Sequence, residues 1–427
     1  MSERNAQLVR IEKPVYGGAF LARAEGKAVF VPLALPGEQA RVRVVDDKRG
    51  YAAAEIEELI EAAPERIAPH CSHFGACGGC HYQHTDSATQ LRLKKEILRE
   101  TLWRGGVSAS AEIGVLTAEP WGYRNRIRLA FDAKGNPGYR GRRSHAVIAI
   151  HECPIAAPLL VDAAHAVTET LRTLAPSLRP AELALFCNED ETALLASVVF
   201  ARHPKLNAEG FARALQECVP ALTGLEFAVE GRNGQPQRSV AHCGATSLTY
   251  RAAGFAYRVD HGAFFQVNRH LVDALVEHVT GGRSGRLAWD LFAGVGLFAR
   301  QLTGHFDRVV AVESAPASTQ ALAANLKHTR SVPVRAATLD FLRRDSANGQ
   351  PDFVVVDPPR SGLGPAVTQE LLRIAPPELV YVSCDPATLA RDLRAFTQAG
   401  YTLVSVTLAD LFPQTFHMET VVELRRT

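Results

Sequence analysis

LAWDLFAGVGLFAR (residues 287–300) reads as an apolar strand, a glycine-bearing turn and the start of a helix. Gly294 and Gly296 let the backbone approach a nucleoside ligand closely. About twenty residues on, VVAVE (309–313) ends on Glu313, where a carboxylate can accept both hydroxyls of a ribose. FVVVDPP (353–359) brings Asp357 to the end of a further strand. Strand-like runs at 287–292, 308–313, 352–357 and 379–383 alternate with helical stretches from about residue 270. That alternation predicts an α/β doubly wound parallel sheet, with all three segments opening on the crevice at the carboxyl ends of its strands. Gly-x-Gly alone suits NAD equally well, and Ala299 is a permitted variant of the third glycine of that fingerprint.

The D-L-F-A-G-V-G form with D-P-P-R downstream looks like the S-adenosylmethionine site of class I methyltransferases. Cys384, in LVYVSCDPATLARDL (379–393), ends another strand of the same sheet and precedes a helix opened by Asp385 and Pro386. The positive end of the helix dipole would stabilise its thiolate. Glu419, in LFPQTFHMETVVEL (411–424), precedes the last strand-like run, with His417 a rival base of the same kind. A methyltransferase gains from a thiolate when its target is carbon 5 of uracil, a poor nucleophile. Addition at carbon 6 creates an enolate whose carbon 5 attacks the methyl group, and a base then removes the carbon 5 proton.

Cys71, Cys77 and Cys80 form C-x5-C-x2-C within HCSHFGACGGCHYQH (70–84), and Cys153 follows in HECPIA (151–156). Gly75, Gly78 and Gly79 allow a loop that turns three sulfurs to one centre, as a soft metal or cluster needs. His70, His73, His81 and His84 keep a mixed Cys/His zinc site open as a rival. Radical chemistry at a C-x3-C-x2-C motif does not match this spacing. Amino-methylation fits poorly, because no aromatic follows the two prolines of D-P-P-R.

Upstream, residues 1–62 read as short strands with tight turns at Gly17-Gly18 and Pro36-Gly37, a pattern that predicts a small barrel. Residues 86–104 have helical apolar spacing, with Asp86 or Ser87 as cap, and residues 121–255 look strand-rich. The expected partition is 1–62, 63–255 and 256–427, with helix 86–104 packing on the last part. Net charge is only +2, but residues 90–145 carry twelve Lys or Arg against five Asp or Glu. Within them Arg124, Arg126 and Arg128 alternate in YRNRIRLAF (123–131), sharing a face that suits an RNA backbone. The N-terminus has no apolar signal segment and no run spans a membrane, so a cytoplasmic protein with reduced thiols is expected.

Together these motifs, with F-F-Q-V-N (264–268), resemble the bacterial RNA uracil-5-methyltransferases. The likeness is greatest to the 23S ribosomal RNA enzymes with an N-terminal TRAM domain and a [4Fe-4S] cluster. It implies that Cys71, Cys77, Cys80 and Cys153 hold the cluster, that Cys384 is the nucleophile and that Glu419 is the base. It further implies that Gln266, Phe292, Glu313 and Asp357 surround S-adenosyl-L-methionine, and that Phe264 stacks near a flipped uracil. The implied partner is RNA, 23S rRNA before transfer RNA, with no membrane and a monomeric chain. Leu297 and Thr338 stand where the family often has Asn, so neither position is carried over. The rival of another class is a non-catalytic rRNA assembly factor, which would have no reason to keep Cys384 and Glu419.

Overall fold

The computed structural model describes residues 6–108, 112–231, 237–344 and 349–427. Strands β1 (Ala6–Val15), β2 (Ala19–Ala24), β3 (Lys27–Pro32), β4 (Gln39–Asp47) and β5 (Tyr51–Glu61) close into a barrel in the order β1-β2-β3-β5-β4. Alternate residues point inward, so Val9 and Ile11, Phe20 and Ala22, Val29 and Val31, and Ala40 and Val42 are all buried. Helix α1 (Ser87–Arg104) starts at Asp86, whose carboxylate accepts the Thr89 amide at 2.7 Å. Its Leu93 enters the barrel's core, while Ile97, Leu98 and Leu102 enter the core beneath the largest sheet. One helix therefore fastens the barrel to the rest of the molecule. The short β6 (Gly114–Leu116) follows it.

The middle of the chain forms a seven-stranded sheet in the order β13-β12-β11-β10-β7-β8-β9. Its elements are β7 (Arg126–Phe131), β8 (Pro137–Arg140), β9 (Val147–Ala149), α2 (Pro158–Leu174), β10 (Pro180–Cys187), β11 (Leu194–Phe200), α3 (Ala208–Cys218), β12 (Leu222–Val229) and β13 (Arg238–Gly244). The strand-rich reading of this region misses two helices. In α2, Leu160, Ala164, Val167 and Leu171 recur at helical spacing and are buried. In α3, Asn207 caps the first turn, and Phe211 and Leu215 reach the core. A hairpin of β14 (Ser247–Ala252) and β15 (Phe255–Asp260) leads onward.

The last part alternates as its sequence does: α4 (Val272–Thr280), β16 (Gly285–Leu291), α5 (Leu297–Leu302), β17 (Phe306–Glu313), α6 (Pro316–Asn325), β18 (Ser331–Arg335), α7 (Thr338–Arg344), β19 (Phe353–Val356), α8 (Gly364–Ile374), β20 (Glu378–Ser383), α9 (Pro386–Gln398), β21 (Tyr401–Ala409) and β22 (Glu419–Arg426). The sheet runs β18-β17-β16-β19-β20-β22-β21-β6. The first five strands are parallel, and β22 is antiparallel to both its neighbours. The parallel strands are apolar nearly throughout because both faces are covered. Ala288, Val309, Val355 and Val380 enter one core, and Trp289, Val310, Val354 and Tyr381 the other. From β16 the chain builds outward to β17 and β18, then crosses back to β19 on the other side. The strand order thus reverses between β16 and β19, which opens a crevice at their carboxyl ends. Among the described residues no helix is long and apolar enough to cross a membrane.

Candidate active site

At the crevice, β16 ends in a turn with three left-handed residues: Phe292 (φ 64°), Gly294 (φ 55°) and Gly296 (φ 91°). A phenylalanine there is strained, which costs about 1–3 kcal/mol and is typical of a binding turn. Gly296 is fixed twice over, because an added Cβ would also lie 2.7 Å from Leu322. The Gly294 amide donates to Glu313 at 2.9 Å, and the other Glu313 oxygen accepts from Ser314 and Ala315 at 2.6 and 2.7 Å. The turn and the end of β17 are thereby locked together. Phe264, Gln266, Phe292, Gly294 and Asp357 line one cleft beside this turn. Gln266 reaches the Asp357 carboxylate at 3.4 Å, and Phe264 is exposed at the mouth.

The neighbouring strand ends bring three acidic groups together. Burial pushes Asp357 up to about 7. Glu419, the first residue of β22, is 4% exposed and is pushed well above the carboxylate range by burial and then by Asp357. Its Oε1 is buried with no hydrogen-bond partner among the described residues. Cys384 is half-buried, and its thiol is pushed up to about 12 by burial, then by Glu419 and Asp357. This reverses the expectation from the helix dipole. Cys384 does precede α9, whose first turn Asp385 caps through the Ala387 and Thr388 amides, while desolvation and two carboxylates act against the dipole. Arg360 opposes the shift at both Cys384 and Glu419. It also meets His417 Nδ1 at 3.3 Å. Burial and then Arg360 hold His417 down to about 3, which makes it a weaker base than Glu419, whose carboxyl is raised.

The three cysteines of the C-x5-C-x2-C loop, Cys71, Cys77 and Cys80, and the remote Cys153 line one cavity of about 220 Å³. Gly78 lets the loop lie on the β8–β9 turn, since a Cβ there would be 2.9 Å from the Arg140 carbonyl. Burial raises all four thiols, Cys80 to about 12. Thiolates around one tetrahedral zinc lie about 3.8 Å apart, from a Zn–S bond of about 2.3 Å. No three of these sulfurs fall within 4.8 Å of one another, so they are spread more widely than zinc demands. His73, His151 and Glu152 do gather ligand-type atoms within 4.8 Å at the rim. They are already engaged, with Ser72 donating to Glu152 at 2.6 Å and the His151 amide to His73 at 3.3 Å. His84 is buried and bound to the Ala34 carbonyl.

The three arginines do not form an open stripe. Arg124 lies in the wall of the cysteine cavity, and Arg126 stacks on Phe186 at 4.3 Å. Only Arg128 is exposed, paired with Glu182 at 3.0 Å. Neighbouring packing, which alternation cannot reveal, decides which side of the stripe stays open. Three further residues belong to the site. Arg360 stood in a quoted motif without a role. Asp290 is a fully buried carboxyl behind the turn, pushed up to about 7 by burial, Asp357 and Glu313, and its signal was a charge inside an apolar strand. Tyr16 comes from the barrel, donates to the Cys384 carbonyl at 3.4 Å and stands edge-on to Phe416 at 5.6 Å. Nothing local in its sequence marks it.

The sheet, its switch-point crevice and the N-terminal barrel define a methyltransferase carrying an appended barrel. The family model for tRNA (Uracil-5-)-methyltransferase matches residues 342–427, and the TRAM domain model matches residues 3–56. A 23S rRNA (uracil(1939)-C(5))-methyltransferase of Halomonas elongata is 32% identical over 99% of this chain and 90% of its own length. One from Klebsiella pneumoniae is 33% identical over 96% and 93%. An RNA methyltransferase of Thermotoga maritima is 30% identical over 97% and 98%. The crystal structure of the Pyrococcus abyssi tRNA (uracil-54, C5)-methyltransferase shares the fold with a TM-score of 0.79 at 23% identity, covering 97% of this chain and all of that one. This chain belongs to the RNA uracil-5-methyltransferase family.

Proposed function

We propose that this RNA uracil-5-methyltransferase acts on 23S rRNA through a covalent adduct between Cys384 and carbon 6 of uracil, with Glu419 as the base. The observation that carries the mechanism is the meeting of Cys384, Glu419 and Asp357 at the strand ends beside one cation, Arg360. S-adenosyl-L-methionine, held by Gln266, Phe292, Gly294, Gly296, Glu313 and Asp357, supplies the methyl group. Cys384 adds to carbon 6 as thiolate and pushes electron density to the carbonyl as an enolate, whose carbon 5 takes the methyl as its bond to the sulfonium sulfur breaks and S-adenosylhomocysteine leaves. Glu419 then removes the carbon 5 proton. That electron pair re-forms the 5,6 double bond, the carbon–sulfur bond breaks, and sulfur leaves as thiolate.

Burial and the two carboxylates hold Cys384 in the free site mainly as the neutral thiol at neutral pH. A cation placed against Asp357 favours the ionised forms of all three acidic groups, so a cationic methyl donor primes the nucleophile. Phe264 and Arg128 remain exposed to meet RNA, Phe264 by stacking and Arg128 through phosphate. The 23S rRNA assignment rests on relatives that match end to end; transfer RNA is the second reading, favoured by the family description and the Pyrococcus abyssi structure. Cys71, Cys77, Cys80 and Cys153 suit a [4Fe-4S] cluster, because four half-buried thiols line one cavity of about 220 Å³ with no three of them gathered within 4.8 Å. Residues 1–62, 63–255 and 256–427 are the proposed barrel, cluster and catalytic units, and the protein works as a monomer.

A transcript carrying 5-fluorouridine tests the mechanism. The wild type with methyl donor should form an RNA adduct that survives denaturation, and Cys384→Ala should form none. An adduct persisting in that variant would overturn the assignment. Mapping 5-methyluridine in ribosomal and transfer RNA from cells with and without the gene decides the substrate.

A further inference from the structure

The carbonyls of residues 411–414, in the segment that leads to Glu419, each accept from a group in a distant segment, beside local bonds such as that from the Thr415 hydroxyl to the Phe412 carbonyl. The Leu411 carbonyl accepts the Asn268 side-chain amide at 3.2 Å. The Phe412 carbonyl accepts the Lys94 ammonium at 2.9 Å, and the Pro413 carbonyl accepts the Tyr123 hydroxyl at 3.0 Å. The Gln414 carbonyl accepts the amides of His81 at 2.8 Å and Tyr82 at 3.0 Å. Gln90 and Gln414 bind reciprocally: the Gln414 amide donates to Gln90 Oε1 at 2.9 Å, and Gln90 Nε2 donates to Gln414 Oε1 at 2.9 Å. At the root, Lys94 is fully buried and pairs with Asp410 at 2.6 Å. Gln414 has φ 68°, a conformation that a glutamine keeps only when its surroundings impose it.

Buried carbonyls need partners, but turns usually satisfy them locally. Here helix α1, the cysteine loop, the residue before Arg124 and the F-F-Q-V-N segment each supply one. The held carbonyls lie five to eight residues before Glu419, whose Oε1 has no hydrogen-bond partner among the described residues. Its backbone is fixed as the first residue of β22, paired with Ala409 of β21, and the 411–418 segment delivers the chain into that pairing.

We propose that Gln90, Lys94, Tyr123 and Asn268 are positioning residues for the second half of the reaction: they fix the 411–418 segment so that Glu419 meets the carbon 5 proton. This rests on the reading of Glu419 as base. Cys384 stands on a different strand end and is not held by these groups. Loosening the segment should slow proton removal and spare adduct formation.

The test uses the full-length holoenzyme with two variants, Gln90→Met and Tyr123→Phe, the second removing a single hydroxyl. Adduct formation on 5-fluorouridine RNA should stay within about twofold of wild type, while turnover on uridine RNA falls about tenfold. A covalent protein–RNA species should then accumulate on uridine RNA in a denaturing gel. Glu419→Gln is the reference and should accumulate the same species. If both variants slow the two steps in proportion, or turn over without accumulation while Glu419→Gln accumulates, the positioning role is wrong. If Glu419→Gln itself accumulates nothing, the base assignment fails and this inference with it.

Discussion

A thiol pushed up to about 12 is an unlikely-looking nucleophile until its neighbours are counted. Burial contributes most, and the two carboxylates add to it, so the reactive form depends on whatever offsets Glu419 and Asp357. Arg360 is the cation already present. Arg360→Met should raise the Cys384 pKa further and slow adduct formation about tenfold at neutral pH, the effect of about one pKa unit. The sign for pH follows from the same shift. A raised thiol pKa means that the thiolate fraction grows as pH rises, so the adduct rate on 5-fluorouridine RNA should climb between pH 6 and 9. In Arg360→Met the climb should move to higher pH. A flat profile in both proteins would show that thiol ionisation does not limit the step.

Among the elements, the β16 turn couples backbone strain to ligand shape. Gly296→Ala would place a methyl group 2.7 Å from Leu322 while demanding a left-handed alanine. A stability loss of about 1–3 kcal/mol and weakened S-adenosylhomocysteine binding are expected, measured by thermal unfolding and calorimetry. The cysteine loop is the second such element. Anaerobically purified protein should be brown with broad visible absorption, and Cys80→Ser should lose that colour. Colourless wild type with stoichiometric zinc would defeat the cluster. Much of this scale was legible beforehand. The glycines of 287–300, Glu313 and the cysteine spacing are local patterns, and short-range geometry is enough to place them. α2 and α3 were missed although their apolar spacing is plain, because the strands on either side dominate the region.

Across the whole molecule, the barrel docks against the strand end that carries Cys384 and the segment before Glu419. Tyr16 touches the Cys384 backbone and Phe416, and Gly18 lies so close that a Cβ would meet His81 and Phe416 at 3.0 Å. Gly18→Val should lower turnover while leaving S-adenosylhomocysteine affinity unchanged, since the β16 turn lies apart from that contact. Equal loss of both would mean general destabilisation instead. The sequence by itself determined the doubly wound sheet, its ligand turn, the barrel and the grouping of cysteines, because each follows from periodicity or from spacing within a few residues. Only the tertiary structure decided that burial and two carboxylates raise the Cys384 thiol, that Arg124 faces the cysteines and that a barrel tyrosine reaches the Cys384 carbonyl. Those outcomes depend on desolvation and on groups that lie tens to hundreds of residues apart in the chain, which no local pattern records.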